Sequence, residues 1–316
     1  MSAAALLRRL AWSGLAVLAA AVLTFGLVYL VPADPVRVLV GPHATGAQLE
    51  EVRRTLGLDR PLPIRLASYL GGLLRGDLGH SYSEGRDVLP LIVERLPATA
   101  QLALAGLAVQ VALGLPLGVV AARRPGSLVD RVATLLALGL VSAPVFLVGY
   151  LALDLLAFEP RVRWGLDLFP VGGGYRPLDP RFLALPALVL GTAGAGAYAR
   201  LTRTAVLDEL GREYIRTARA KGAAERRVVW RHALRNALGP LVSQLGVDAG
   251  AFLGGVAIVE RIFGWPGVGQ LALRSIETDD VPLVMGTVVF GTACVALASV
   301  AVDLAQAALD PRLRRG

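Results

Sequence analysis

Residues 98–122 read ATAQLALAGLAVQVALGLPLGVVAA, twenty-five residues without a charge, closed by Arg123 and Arg124. A helix needs about 20 apolar residues to cross a hydrocarbon core about 30 Å thick, and this run exceeds that. Working outward, comparable runs recur near 10–31, 132–157, 182–199, 240–259 and 281–309. One water-soluble core of this size has no room for so much apolar surface. The expected fold is therefore an all-α membrane protein with six transmembrane helices.

Composition agrees. The 316 residues are 55% hydrophobic and 18% charged, with a mean hydropathy of +0.60, against about 25% charged in soluble domains. The net charge is +8, and the bases cluster in short stretches beside the apolar runs. That placement argues for control of topology rather than for nucleic acid as a partner. With the N-terminus inside, the cytoplasmic segments hold eighteen bases against six acids, and the external ones fourteen against fifteen. Both termini are then cytoplasmic, in a multi-pass protein of the plasma (inner) membrane. Arg8 and Arg9 precede the first run, but its continuation to Val31 marks a retained anchor rather than a cleaved signal. The single cysteine, Cys294, sits in an apolar run and reads as a packing residue.

The chain divides into an anchor with an external segment (1–96), a transmembrane region (97–309) and a cytoplasmic tail (310–316). In the external segment, Thr45 can cap a helix carrying Leu49, Val52 and Leu56, with Gly57 as its stop. Leu66, Leu70, Leu73 and Leu74 mark the apolar face of a second helix lying on the membrane surface or on a partner, and the segment equally fits a scaffold packed on the outer ends of the spans.

The most informative polar stretch is 208–239 with the following proline, DELGREYIRTARAKGAAERRVVWRHALRNALGP. Trp230, Ala233, Leu234, Ala237 and Leu238 fall at helical spacing and define one stripe, while Arg227, Arg231 and Arg235 repeat on another face. Two amphipathic helices meeting at Gly222 make a compact knuckle that can dock into a groove. Periodicity alone equally fits a basic loop lying on anionic lipid.

The residues YIRTARAKGAAERRVVWRHALRNALGP resemble the coupling loop of ABC importer permeases, in the dipeptide, oligopeptide and nickel branch of the binding-protein-dependent family. Arg216, Thr217 and Ala218 stand where the general pattern has Glu-Ala-Ala, and Arg235 where it has proline; the peptide branch is similar in both respects. LGLDRPLPIR, GDLGHSYSEGRDV, ERLPATAQL, VERIFGWPGVGQL (Val259–Leu271) and the closing DPRLRR resemble the same branch, so the likeness covers nearly the whole chain. It implies a type I importer transmembrane domain working by alternating access. The implied partners are a second, homologous permease, two cytoplasmic ATPase subunits that hold ATP and Mg, and an external solute-binding protein. Tyr214, Arg216, Thr217, Ala218, Lys221, Gly222, Arg226, Arg227 and Trp230 would then couple to an ATPase. Peptides are the implied cargo, with nickel, haem or oligosaccharides as alternatives within the family.

No phosphate-binding loop exists in the sequence: Lys221, the only lysine, precedes Gly222 rather than Ser or Thr. ATP hydrolysis and catalysis are not expected of this chain, nor is a cofactor. His43, His80 and His232 lack metal-ligand spacing. Acids within membrane runs are functional candidates, and Asp248 is the most central. It can line the pathway for a solute amine or pair structurally. Pro116, Pro144 and Pro186 are expected to kink or break their spans. An ion-coupled transporter using Asp248, or an intramembrane enzyme, are the rivals; the second needs a nucleophile and a base within the spans, where no histidine lies.

Overall fold

The computed structural model describes residues 3–30, 45–55, 57, 59–171, 174–254 and 256–309. The tail 310–316, His43 and Leu56 fall outside these. Among the described residues the chain is helical, with one isolated antiparallel bridge between His80 and Asp87.

Four helices are long and apolar enough to cross a membrane: α1 (Ala3–Leu30), α4 (Val88–Arg123), α8 (Pro180–Leu210) and α14 (Val281–Leu309). Taken together, α5 (Leu128–Ser142) and α6 (Val145–Leu153), which continues through a π-helical turn at Asp154–Phe158 into α7 (Glu159–Trp164), are long and apolar enough for a fifth, broken span. The pair bends by 93° at Ala143 and Pro144. Proline pushes the preceding residue toward extended backbone, and Ala143 has φ −77° and ψ 124°. Pro116 and Pro186, by contrast, sit inside continuous helices.

The sixth expected span, 240–259, is shorter and less apolar than expected. It forms α11 (Leu234–Leu253), which carries Gln244 and Asp248 and stops before Gly254; α12 (Ala257–Ile262) follows as a separate piece. α11 packs inside the bundle against α14, α8 and α4, which is where a polar helix finds partners in a membrane. α13 (Val268–Glu277) completes the connection to α14.

Helix boundaries overrun the apolar runs because charge limits a span, not a helix. α4 begins ten residues before Ala98, and α8 runs past Arg200 and Arg203. The start of α8 follows local rules: Pro180 is its first residue, and the Asp179 carboxylate accepts the Arg181 N–H at 3.0 Å. α4 and α8 share the most extensive helix–helix contact, with Gly106, Gly114, Gly118 and Gly191 along it. A Cβ on Gly118 would lie 2.5 Å from Thr202 Cβ and nearer still to the Ala199 carbonyl, so only glycine lets the backbones meet.

In the external segment, α2 (Gly46–Thr55) follows Thr45, whose carbonyl accepts the Leu49 N–H, and Gly57 ends it with φ +64°. α3 (Leu62–Leu73) lies on α1, with Tyr69 stacked on Phe25 at 5.9 Å. Leu66, Leu70 and Leu73 are half-buried. Leu74 lies beyond the helix end and is exposed, so it leaves the expected face.

Candidate functional site: the knuckle and the polar links around it

Two faces of the bundle can be told apart by their contacts. On one, Ser81 and Ser83 bond Asp280, Tyr175 packs edge-on against Trp265, and Trp265 bonds Ala98. On the other lie the 124–127 turn, the knuckle, the start of α1 and the last turns of α14. Arg9 of α1 pairs with Asp303 of α14 there, and Arg203 grips Asp130 through Nε and Nη2 at 2.6 and 2.8 Å. The bidentate fork ties the start of α5 to α8.

The knuckle is built from α9 (Glu213–Ala220), a turn at Gly222, the short α10 (Glu225–Arg227) and a π-helical turn at Val228–Ala233 that runs into α11. Gly222 has φ +78°, a conformation that L side chains rarely adopt. A Cβ there would meet nothing within 4 Å, so backbone conformation rather than crowding demands glycine. Arg219 and Glu225 close the turn with bonds of 2.7 and 3.1 Å. The bonds from Arg219 hold the Glu225 carboxyl below its ordinary range.

Ile215, Val228, Val229, Ala233, Leu234 and Ala237 form the buried side, packed on Val119, Ala122 and Val206 of α4 and α8. The expected stripe is corrected here: Trp230 is 41% exposed and Leu238 is exposed as well. The π turn inserts an extra residue into the period, so burial passes from 228 and 229 to 233 and 234, five residues on. Trp230 is thereby turned outward. Tyr214, Arg216, Thr217, Lys221, Gly222, Arg226, Arg227 and Trp230 are all exposed, with Ala218 half-buried. Tyr214 donates to Glu209 at 2.5 Å. The structure therefore gathers the nine candidate coupling residues on one outward knuckle.

Asp248 lies elsewhere, within α11. Gln110 of α4 donates to one of its oxygens at 2.6 Å and Gln244 to the other at 2.9 Å. Gln110 is buried and Asp248 half-buried, so the carboxylate joins two helices while keeping one side open. His80 engages Asp87 at 3.0 Å, with both side chains exposed.

Sequence reasoning passed over Glu260 and Asp280. Glu260 is fully buried, accepting from Thr99 Oγ1 at 2.8 Å and from the Gln270 N–H at 2.7 Å. Burial pushes its carboxyl up, against the pull of these bonds. Asp280 accepts from Ser81 Oγ, Ser83 Oγ, Ser83 N and Leu283 N at 2.6, 2.7, 2.9 and 3.2 Å. Burial pushes that carboxyl up as well, but the bonds outweigh it and hold it below its ordinary range.

The family described as binding-protein-dependent transport system inner membrane component matches residues 114–315, and its N-terminal companion matches 3–103. The chain belongs to this family. It is the permease subunit of an ABC importer, a transport component rather than an enzyme. The permease is 38% identical over 307 residues to a peptide permease protein of Brucella suis, covering 94% of each chain. It is also 38% identical over 293 residues to the glutathione transport system permease protein GsiC of Pectobacterium atrosepticum, covering 93% of each. A chain of the inward-facing MetNI methionine ABC transporter shares the fold, with a TM-score of 0.55 at 21% identity over 71% of the permease and 98% of that chain.

Proposed function

We propose that the permease forms half of a translocation pathway for peptides, alternating between outward and inward access. A second, homologous permease supplies the other half. Two cytoplasmic ATPase subunits, which hold ATP and Mg, grip the knuckles, and an external solute-binding protein delivers cargo. Both termini and the knuckle face the cytoplasm. The observation that carries this reading is the outward knuckle: an exposed tryptophan among arginines, on a buried base continuous with α11. An exposed Trp beside Arg is the composition of an interface anchor. A partner that binds the knuckle differently in two states can move α11, and α11 carries Asp248.

Peptide cargo is supported by relatives named for peptides and for glutathione at 38% identity. Asp248, half-open and negative, suits the α-amino group that most peptides carry. Identification by mass spectrometry of the molecule retained by the cognate binding protein tests the cargo: peptides are expected, and nickel, haem or an oligosaccharide would overturn that assignment.

Gly222 tests the coupling. Asn tolerates left-handed backbone, so Gly222→Asn should keep coupled transport. Gly222→Trp strains the left-handed turn and also projects into space that this chain leaves empty, so Gly222→Ala, which carries the strain without the bulk, is its control and should stay nearer the parent. Gly222→Trp should insert normally yet lower uptake per ATP hydrolysed about tenfold. Normal coupling in Gly222→Trp would overturn the docking role.

A further inference from the structure

The connection between α11 and α14 covers the outer end of the bundle. α12 touches α6 and α8, while α13 touches α4 and α14, so four membrane helices meet beneath one short piece of chain. Apolar contact holds it down through Val259, Phe263 and Trp265 in one cluster and Val268 and Leu271 in another. Such contact is non-directional, and it does not by itself fix one seating.

Direction comes from a set of polar links to the outer part of α4. Trp265 Nε1 donates to the Ala98 carbonyl at 2.8 Å, and the Val268 N–H donates to Thr99 Oγ1 at 2.8 Å. The Thr99 hydroxyl passes its own hydrogen to Glu260 Oε1 at 2.8 Å, and the Gln270 N–H reaches Oε2 at 2.7 Å. Glu260, Thr99 and Trp265 have no exposed surface. A Cβ on Gly269 would come within 2.9 Å of Oε2, and one on Gly267 would overlap the carboxylate. The chain thus wraps closely around a buried carboxylate whose donors are the Thr99 hydroxyl and the backbone N–H groups of Gln270 and Gly269. Such a group is a poor way to gain stability, since an apolar side chain of similar volume often does as well. What it supplies is a bond set that is complete in one arrangement only.

We propose that Glu260 is a positioning residue for transport, locking α12 and α13 onto α4 so that the segment seals the outer mouth until the external binding protein docks. The inference rests on the importer reading above. Lifting the segment breaks the Thr99–Glu260 bond and leaves buried donors and acceptors without partners, a cost that docking must offset. Without the lock the closed state loses its advantage, and the ATPases fire with no binding protein present.

The test uses the complete complex in liposomes, measuring ATP hydrolysis without binding protein and uptake with it, each per assembled complex. For Glu260→Ala, hydrolysis without binding protein should rise about tenfold and uptake should fall by a similar factor. Glu260→Gln should rescue most of this, because the amide oxygen can accept from Gln270 while the amide nitrogen donates to Thr99. Thr99→Ser should behave as the parent. Thr99→Val keeps the volume and loses the hydroxyl, so it should reproduce the uncoupling, and it carries the test if Glu260→Ala fails to assemble. A purely structural role predicts fewer complexes of unchanged coupling. That result, or a Gln variant no better than Ala, would overturn the proposal. A parent complex without ATP-dependent uptake would remove the importer reading and the lock with it, whereas a coupled parent with coupled Glu260→Ala would remove the lock alone.

Discussion

Asp280 and Asp248 show what a single carboxylate does at two depths. Asp280 joins the external segment to the start of α14 through four bonds, and its carboxyl is held below the ordinary range. A depressed folded pKa means stability that is present above the unfolded carboxylate pKa and lost as pH falls through the folded one. The melting temperature of the solubilised permease should therefore drop on acidification, and Asp280→Asn should blunt that dependence while costing about 1–3 kcal/mol at pH 7. An acid limb identical in parent and variant would place the titration elsewhere. Asp248 is predicted to act on cargo: Asp248→Asn preserves size and the bond from Gln244, with the Gln110 amide turning so that its oxygen accepts from the new amide nitrogen, and should raise the KM for uptake of peptides with a free amine about tenfold while N-acetylated peptides are unaffected. Asp248 was legible as a charge inside an apolar run. Glu260 and Asp280 were not, because their partners Thr99 and Ser81 lie 161 and 199 residues away and nothing in the local pattern distinguishes them from other loop acids.

Five of the six expected spans follow from apolar run length, whereas 240–259 folds as the more polar α11 and the separate α12; the proline at 144 marks the break in the third. Two features escaped that reading. The π turn at Val228–Ala233 shifts the buried stripe by one residue, a backbone choice that periodicity assumes away. The close approach of α4 and α8 depends on which glycines face each other across the pair, which spacing does not reveal. Gly118→Leu should break this packing: a side chain forced against the Ala199 carbonyl and Thr202 should cost about 1–3 kcal/mol or more. Fluorescence-detected gel filtration would then show a loss of folded permease. A folded yield equal to the parent would show that the two helices can separate there at little cost.

The arrangement as a whole is a bundle with two different ends. One end is covered by α12, α13 and residues 81–83, through the buried carboxylates Glu260 and Asp280. The opposite end carries the Asp130–Arg203 fork, the Arg9–Asp303 pair and a knuckle whose basic, aromatic face is exposed. The charge asymmetry between the two sides predicts which end faces the cytoplasm, and the uncovered face predicts what sits on it. One labelling measurement joins both claims. Lys221→Cys, in a background where Cys294→Ala removes the native thiol, is treated with a membrane-impermeant maleimide in intact cells, in inside-out vesicles, and in such vesicles stripped of their ATPase subunits. The account predicts no labelling in intact cells, strong labelling in stripped vesicles, and protection where the ATPases remain bound; labelling from outside, or equal labelling with and without them, would contradict it.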